Sequence, residues 1–169
     1  MDLRNFLLFK NLSEEEEKLL KPSLIKKKYK SGDMIFKEGE LGADMCLIKE
    51  GKVKIYLIRG EYELELSTLE SGDFFGEMAL LRVYDRSANV VSIDDSEVFL
   101  LSVTEFKKIM DKKPEISVKI LTSLCNILAD RLAETNNNLE THFLLNKAIV
   151  HDKLFRDLYI TKVEKKGKK

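Results

Sequence analysis

The stretch from residue 75 to residue 90 reads Phe-Gly-Glu-Met-Ala-Leu-Leu-Arg-Val-Tyr-Asp-Arg-Ser-Ala-Asn-Val. Gly76 precedes a short helix-compatible run, Glu77–Leu81, whose first turn leaves backbone N–H groups without intrahelical partners. Backbone N–H groups of this kind bind anions. Arg86 can bring a permanently charged guanidinium, with its N–H donors, to the same place, an arrangement suited to a phosphate group.

Glu77 adds a carboxylate acceptor beside this cationic group. A carboxylate at an anion site makes sense only if the ligand presents hydroxyl groups as well as negative charge. A sugar phosphate meets both demands. The same residues allow a second interpretation, in which Glu77 and Arg86 form an ion pair that ties a loop to the body of the protein.

Glycine-rich sequence leads up to this stretch. Seven of the eight glycines lie between residues 32 and 76, and both prolines lie outside that range. Glycine supplies the positive φ that tight turns need, so the middle of the chain reverses direction often. Six strand-like runs lie in and after this segment: Asp33–Phe36, Met45–Ile48, Val53–Ile58, Tyr62–Leu66, Asn89–Ile93 and Val98–Leu101. The third and fourth of these runs flank a hairpin loop at residues 59–61. Many short strands at close spacing predict an antiparallel roll or barrel.

Helix-start signals lie on both sides of this middle segment. The residues from Ser13 to Glu16 form a capping box, and Leu12 is placed to staple the helix start. The residues from Ser102 to Glu105 repeat the pattern and predict a short helix through Met110. The predicted order is therefore a helix, a set of strands and further helices.

The longest predicted helix begins after Pro114 and runs from Glu115 to about Glu140 without glycine or proline. Two apolar stripes follow it, about 110° apart at ~100° per residue. The stripes are Ile116, Ile120 and Ile127, and Leu121, Leu124, Leu128, Leu132 and Leu139. Two stripes need two partners, which we expect to be the roll and a second copy of the helix, since the leucine spacing suits a coiled coil. The alternative is one wide face packed on its own domain.

Residues 75–90 resemble the phosphate-binding cassette of the cyclic nucleotide-binding domain family. The family pattern is Phe-Gly-Glu-(Leu/Met)-Ala-Leu, a short variable stretch, and Arg-(Ser/Thr/Ala)-Ala-x-Val. The resemblance extends to residues 29–40, 48–53 and 69–77, and covers roughly residues 6–140. A cassette with several glycine-containing turns in the right order is a specific signal.

The resemblance implies an α+β fold. We expect an antiparallel double-stranded β-roll of the jelly-roll kind over about residues 24–102, flanked by an N-terminal helix and the long C-terminal helix. Residues 1–140 then form the cyclic nucleotide-binding domain, and residues 141–169 form an amphipathic helix and a lysine-rich, solvating tail.

The resemblance also implies which residues bind the ligand. Arg86 pairs with the exocyclic oxygens of the cyclic phosphate, and Glu77 accepts a hydrogen bond from the ribose 2′-hydroxyl. Backbone N–H groups complete the phosphate cradle, and the hydroxyl after the arginine touches phosphate or base. The positions that supply these last groups are Gly76, Met78, Ala79 and Ser87. This chain departs from the family at Asp85, where many members have proline, and at Arg82, which adds a charge in the variable stretch.

Polar residues set into the long helix predict a contact to the base. On a helical wheel Arg131 and Thr135 fall between the isoleucine and leucine stripes, and Asn136 lies at their edge. A base buried under a helix needs donors and acceptors, and threonine or asparagine supplies both. We therefore expect this helix to form a lid over the base. The alternative is that these residues specify the register of a helix pair.

Composition excludes several classes of protein. The chain has 29 basic and 29 acidic side chains, so it has no net charge to hold nucleic acid or an anionic membrane. No apolar run approaches the ~18 residues of a transmembrane helix. Cys46 and Cys125 lie far apart, which argues against a disulfide framework and for a reducing compartment. We expect a soluble, cytoplasmic protein.

The sequence also argues against catalysis. Metal-dependent enzymes share the β-roll, but their sites need several imidazole or carboxylate ligands inside it. His142 and His151 are the only histidines, and both lie beyond the roll. No Ser/His or Cys/His constellation for nucleophilic catalysis is available within the roll. We expect no enzymatic activity, no metal and no cofactor apart from the nucleotide ligand.

The expected function is that of a cyclic nucleotide sensor, with cyclic AMP ranked before cyclic GMP. About thirty residues follow Glu140, too few for a helix-turn-helix domain, so we expect no direct DNA binding. The signal would pass through rearrangement of the C-terminal helix to a protein effector or to a homodimer built on that helix. The alternatives are a transcription regulator of the catabolite-activator type without its own DNA-binding domain, and a β-roll interaction module that has lost the nucleotide.

Overall fold

A computed structural model describes residues 2–81 and 84–151 of the chain. The described residues before the long helix form ten strands, and every strand pair among them is antiparallel. The strands are β1 (Leu24–Tyr29), β2 (Met34–Phe36), β3 (Leu41–Gly42), β4 (Asp44–Glu50), β5 (Lys52–Arg59), β6 (Tyr62–Glu70), β7 (Phe74–Phe75), β8 (Tyr84–Asp85), β9 (Asn89–Ser92) and β10 (Ser96–Ser102). The helices are α1 (Glu14–Leu20), α2 (Met78–Leu81), α3 (Val103–Lys112) and α4 (Pro114–His151).

The strands form two four-stranded sheets and one two-stranded ladder. The first sheet has the order β1-β10-β4-β7, the second has the order β2-β9-β5-β6, and β3 pairs with β8. Both sheets contribute to one core cluster of Cys46, Ile48, Val53, Phe75, Val90 and Val98. Full burial of one such apolar side chain contributes about 1.5–3 kcal/mol relative to exposure. This shared core holds the two sheets of the roll together.

Local sequence signals place several of these elements correctly. The predicted hairpin is confirmed, but its loop has two residues, 60–61, because Arg59 belongs to β5 and pairs with Tyr62 at the start of β6. The capping box is also confirmed: Ser13 Oγ accepts from the Glu16 N–H, and the Glu16 carboxylate accepts from the Ser13 N–H. Ser102 caps α3 as predicted. That helix ends two residues later than expected, immediately before the residue that precedes Pro114.

The long helix α4 continues past residue 140, and the expectation that it ends there is wrong. It runs without interruption from Pro114 to His151, so residues 141–151 are not a separate helix. The physical reason is the lack of a stop signal, since no glycine or proline follows Pro114 within that range. The rest of the expected amphipathic stretch and the lysine-rich tail, residues 152–169, lie outside the described residues. The division of the chain into domains after residue 140 stays a prediction.

The chain divides into two compact units, Met1–Leu124 and Cys125–Lys169, and the division falls within α4. In the first unit, Ile116, Ile120 and Leu124 are buried on one side of α4. Polar contacts tie this part of the helix to the N-terminal segment. Lys119 Nζ donates to the carboxylate of Glu16, and Asn11 Nδ2 donates to Ser123 Oγ at 3.2 Å. The N-terminal segment is therefore a partner of the helix start that the sequence did not predict.

In the second unit, the leucine stripe is exposed at its C-terminal end. Leu132 and Leu139 are more than half exposed, as are Phe143, Leu144 and Leu145.

Among the helices the structure describes, none is long and apolar enough to cross a membrane.

Candidate functional site

The segment that carries Arg86 is fixed by backbone hydrogen bonds to the turn after β2. The N–H of Arg86 donates to the carbonyl of Glu40 at 2.7 Å, and the N–H of Gly39 donates to the carbonyl of Arg86 at 2.9 Å. The β3–β8 ladder continues this pairing, with Leu41 opposite Asp85. Arg86 thus stands on a short ladder that holds it in register with residues more than forty positions earlier.

The side chain of Arg86 points to the start of β4 and to β2. Its Nη1 donates a 2.8 Å hydrogen bond to the carbonyl of Asp44. Its Cζ lies 3.4 Å from the centroid of the Phe36 ring, so the guanidinium is stacked on the ring face. Gly42 permits this placement, because a Cβ there would lie 2.6 Å from Nε and 2.7 Å from Cζ of Arg86.

The charge of Arg86 is half-buried and lacks an ion-pair partner within the described part of the chain. No salt bridge joins Arg86 to a carboxylate of residues 2–81 or 84–151, so the alternative Glu77–Arg86 pair is not formed there. Burial lowers the pKa of the Arg86 guanidinium, while negative charge nearby at Asp44 and Glu40 acts in the opposite direction. Arginine remains protonated at physiological pH even so. The site therefore holds a positive charge whose counter-charge must come from elsewhere.

Gly76 lies directly beside this guanidinium. It has φ +73°, which favours glycine, and it joins β7 to the turn that leads into α2. A Cβ at Gly76 would lie 2.7 Å from Cε2 of Phe36 and 2.9 Å from Nη1 of Arg86. The structure thus brings together Gly76 and Arg86, which the sequence analysis placed in one site.

The turn after Gly76 uses one of the amides expected in the phosphate cradle. The N–H of Ala79 donates to the carbonyl of Gly76 at 3.2 Å, and the N–H of Leu80 donates to the carbonyl of Glu77 at 2.9 Å. The helix α2 that follows has only four residues, Met78–Leu81. Ala79 is buried and Met78 is half exposed. A ligand that takes the Ala79 amide must therefore compete with a turn hydrogen bond.

The remaining cassette residues lie within ten positions of Arg86 in the sequence. Glu77 is half-buried and takes part in a polar or electrostatic contact of its own. Ser87 and Asp85 are exposed, and Arg82 lies outside the described residues. The ligand contacts assigned to Glu77, Met78, Ala79 and Ser87 stay predictions.

The three residues expected to touch the base belong to the second compact unit. Thr135 Oγ1 donates a 2.8 Å hydrogen bond to the carbonyl of Arg131, one turn earlier in the same helix. Asn136 is exposed, and Arg131 is half-buried and has an interaction partner. A contact from any of these side chains to a base stays a prediction.

Phe36, Gly42 and Asp44 also belong to this site, and the sequence did not predict them. Phe36 was visible only as one member of a strand-like run, and Gly42 as one of many glycines. Their contacts with Arg86 join residues more than forty positions apart, so no local pattern reveals them. Within the described residues no group of three histidine, cysteine or acidic side chains could hold a metal ion.

The sequence matches one protein family over residues 26–113, which are 88 of the 169 residues: "Cyclic nucleotide-binding domain". The chain is 32% identical over 134 residues to the cyclic AMP receptor protein of Thermus thermophilus, which covers 79% of this chain. It is 31% identical over 114 residues to a cAMP-dependent protein kinase regulatory subunit of Candida albicans, which covers 68% of this chain. The chain spans 60% of the first protein and 24% of the second.

A solved structure shares the architecture. The cyclic nucleotide-binding domain from Methylobacillus flagellatus matches with a TM-score of 0.76 and 20% identity, over 83% of each chain. At this identity the likeness concerns the fold alone. It agrees with the predicted α+β class, an antiparallel β-roll with an N-terminal helix and a long C-terminal helix, which is thereby confirmed.

Proposed function

The chain belongs to the cyclic nucleotide-binding domain family, and from that premise we propose that it is a regulatory protein that binds 3′,5′-cyclic AMP. One observation carries the proposal: the half-buried guanidinium of Arg86, which has no carboxylate partner among residues 2–81 and 84–151 and adjoins Gly76. A cyclic phosphate is a monoanion with two exocyclic oxygens. It matches one guanidinium in charge and in the spacing of two parallel N–H donors.

The remaining contacts follow the family pattern. Glu77 accepts a hydrogen bond from the ribose 2′-hydroxyl, while amides near Gly76, Met78 and Ala79 bind the phosphate. Ser87 contributes its hydroxyl, and its exposure leaves it accessible to a ligand. The half-buried position of Glu77 supports its assigned role, because a carboxylate shielded from water discriminates strongly between ligands with and without a hydroxyl.

We rank cyclic AMP before cyclic GMP. The names of the two relatives given above support this order, since both refer to cyclic AMP. The residues described around Arg86 contact phosphate and ribose rather than the base, so they are compatible with either purine. Base recognition falls to Arg131, Thr135 and Asn136 on α4.

The output is a change in α4. Binding that orders this helix over the nucleotide shifts an equilibrium between two states by the difference in ligand affinity of those states. The exposed stripe at Leu132 and Leu139 then offers a surface to a second copy or to a protein effector. In this proposal the protein catalyses no reaction, needs no further cofactor and does not contact DNA or a membrane directly. It acts in the cytoplasm.

A second candidate is a regulator of the catabolite-activator type without its own DNA-binding domain. The solved catabolite activator protein of Thermus thermophilus, which is 32% identical and matches with a TM-score of 0.71 over 80% of this chain, favours it. Both candidates require nucleotide binding, whereas a β-roll interaction module without a ligand does not.

Calorimetric titration with cyclic AMP and cyclic GMP tests the proposal. We expect binding of cyclic AMP by the unchanged protein. Arg86→Ala should weaken it about 30- to 4,000-fold, because a desolvated monoanion loses its counter-charge. Arg59→Ala is the matched control, since Arg59 is an exposed arginine paired with Glu38. Affinity in the millimolar range or weaker for both nucleotides, or an Arg86→Ala protein that binds as well as the unchanged protein, would overturn the proposal.

A further inference from the structure

We propose that Phe36 is a positioning residue that sets nucleotide affinity by holding the Arg86 guanidinium in its binding orientation. The proposal rests on the function proposed above. It assigns a role to a strand residue that lies outside the cassette, fifty positions before Arg86 in the chain.

The guanidinium lies in a narrow slot. Phe36 covers one side, with the ring centroid 3.4 Å from Cζ of Arg86. Gly42 and Gly76 line other sides, where an added Cβ would lie 2.6 Å and 2.9 Å from guanidinium nitrogens. The carbonyl of Asp44 accepts one N–H at 2.8 Å. The Arg86 fork therefore has little room to rotate.

Phe36 is itself held by the core of the roll. Its ring makes an edge contact with the buried Phe75 ring, with centroids 5.2 Å apart and planes at 68°. Its backbone pairs with Val90 on β9, and its side chain packs on the core cluster. A ring fixed on this side presents a fixed face to Arg86. The rigid core thus restricts the motion of the Arg86 guanidinium through its contact with the Phe36 ring.

An aromatic ring suits this role better than a carboxylate does. The negative face of the ring stabilises a half-buried positive charge without neutralising it. A carboxylate would occupy the same N–H donors that a phosphate needs. Among the described residues Asp44 takes only one of the five guanidinium N–H groups, through its carbonyl. The stack therefore stabilises the guanidinium and leaves its positive charge and most of its N–H donors available to bind the ligand.

Phe36→Leu removes the ring face and keeps an apolar side chain, and Phe36→Tyr keeps the ring. We expect Phe36→Leu to weaken cyclic AMP binding roughly 3- to 30-fold, the range expected when a partly desolvated cation–π contact is lost. Phe36→Tyr should bind within about 2-fold of the unchanged protein. If Phe36→Leu does not fold, Phe36→Met makes the same test with an unbranched apolar side chain.

A double-mutant cycle separates positioning from general destabilisation. If Phe36 acts through Arg86, then Phe36→Leu should change affinity less than about 2-fold in an Arg86→Ala background. Phe9→Leu is the control for lost aromatic packing, since Phe9 is fully buried in the N-terminal segment, where its ring meets that of Phe6. It should lower the melting temperature and leave affinity unchanged.

A spectroscopic measurement reports on the stack without ligand. Protons above a ring face are shielded, so the Arg86 side-chain N–H resonances should move downfield in Phe36→Leu and stay in place in Phe9→Leu. An equal loss of affinity with and without Arg86, or an unchanged Arg86 resonance, would overturn the role of Phe36 and leave nucleotide binding intact. Absence of binding by the unchanged protein would instead overturn the proposed function.

Discussion

Lys119 on α4 donates to both carboxylate oxygens of Glu16 on α1, at 2.8 and 2.7 Å, and so ties the start of the long helix to the N-terminal segment. Glu16 also closes the capping box of its own helix by accepting from the Ser13 N–H. One carboxylate therefore fixes the beginning of α1 and anchors α4. The hydrogen bond from Lys119 is the main cause that lowers the pKa of Glu16.

Lys119→Met should lower the free energy of unfolding by about 0.3–1 kcal/mol at low salt, because the pair is partly exposed and screened by water. The difference from the unchanged protein should shrink in ~1 M sodium chloride. Urea titrations at the two salt concentrations measure both effects. Lys107→Met is the matched control, since Lys107 is exposed on α3 and forms no salt bridge within the described residues. An equal loss in both variants would contradict the anchoring role.

Glu97 on β10 should make the roll sensitive to acid. Lys26 and Lys49 each approach its carboxylate to 2.7 Å, and these hydrogen bonds, that of Lys26 first, lower the pKa of Glu97 to about 2. A depressed pKa means that the stabilisation is present above the unfolded value, about 4.5, and is lost as the pH falls toward 2.

We therefore expect Glu97→Gln to lower the melting temperature at pH 7. In this variant the melting temperature should also fall less steeply than in the unchanged protein as the pH is lowered from about 4.5 to 2. Calorimetric scans across this range measure the slope. Glu61→Gln, an exposed change in the β5–β6 loop, should leave the slope unchanged. A Glu97→Gln protein with the same acid profile as the unchanged protein would show that the lysine pairs contribute nothing to acid sensitivity.

Local patterns were sufficient for much of the fold. Serine caps, a glycine hairpin loop and apolar runs act over three to eight neighbouring residues, so the sequence displays them directly. The expected roll begins at residue 24, but β1 is not among the predicted strand-like runs, because it lies at a sheet edge with four of its six residues exposed and no apolar alternation. Its lysines suit an edge strand, where they oppose pairing with other chains.

The site was predictable only in part, for a similar reason. Gly76 and Arg86 belong to one recognisable stretch, so the sequence indicated that they lie together. The ladder that positions Arg86 consists of two-residue strands, which are too short to show a period of two. The stack on Phe36 depends on how two sheets pack, and tertiary packing leaves no signal at a single position.

Glu77 should confer preference for ribose over 2′-deoxyribose. In the proposed complex the Glu77 carboxylate accepts a hydrogen bond from the ribose 2′-hydroxyl, and the loss of that hydrogen bond in a 2′-deoxy ligand should cost roughly 10-fold or more in affinity. Titration with cyclic AMP and its 2′-deoxy analogue measures this preference in the unchanged protein and in Glu77→Ala. We expect Glu77→Ala to fold and to lose the preference, while Glu61→Ala keeps it. Equal affinity of the unchanged protein for the two ligands would remove Glu77 from ribose recognition.

Cyclic AMP should protect residues 115–140 of α4 from hydrogen exchange, because the helix closes over the base in the proposed mechanism. The same hydrogen-exchange measurement on Arg86→Ala at equal cyclic AMP concentration is the control, since its weakened site stays largely unoccupied and the ligand then shifts the equilibrium little. The double variant Thr135→Ala/Asn136→Ala should weaken binding, as the base loses its donors and acceptors. Unchanged protection, or full affinity in the double variant, would leave α4 a packing role only.

The guanidinium of Arg86 rests on a ring and a carbonyl rather than on a carboxylate of the described chain, and this has a consequence for rates. A carboxylate bound to the fork would have to leave before a phosphate could enter, and its departure would delay every encounter. Because no carboxylate of residues 2–81 or 84–151 pairs with the fork, we expect none of them to delay nucleotide entry, and variants of the slot should differ mainly in how long the nucleotide stays bound. For the nucleotide sensor proposed above, the occupied fraction should therefore follow a rising ligand concentration promptly and should fall at a rate set by the lifetime of the complex.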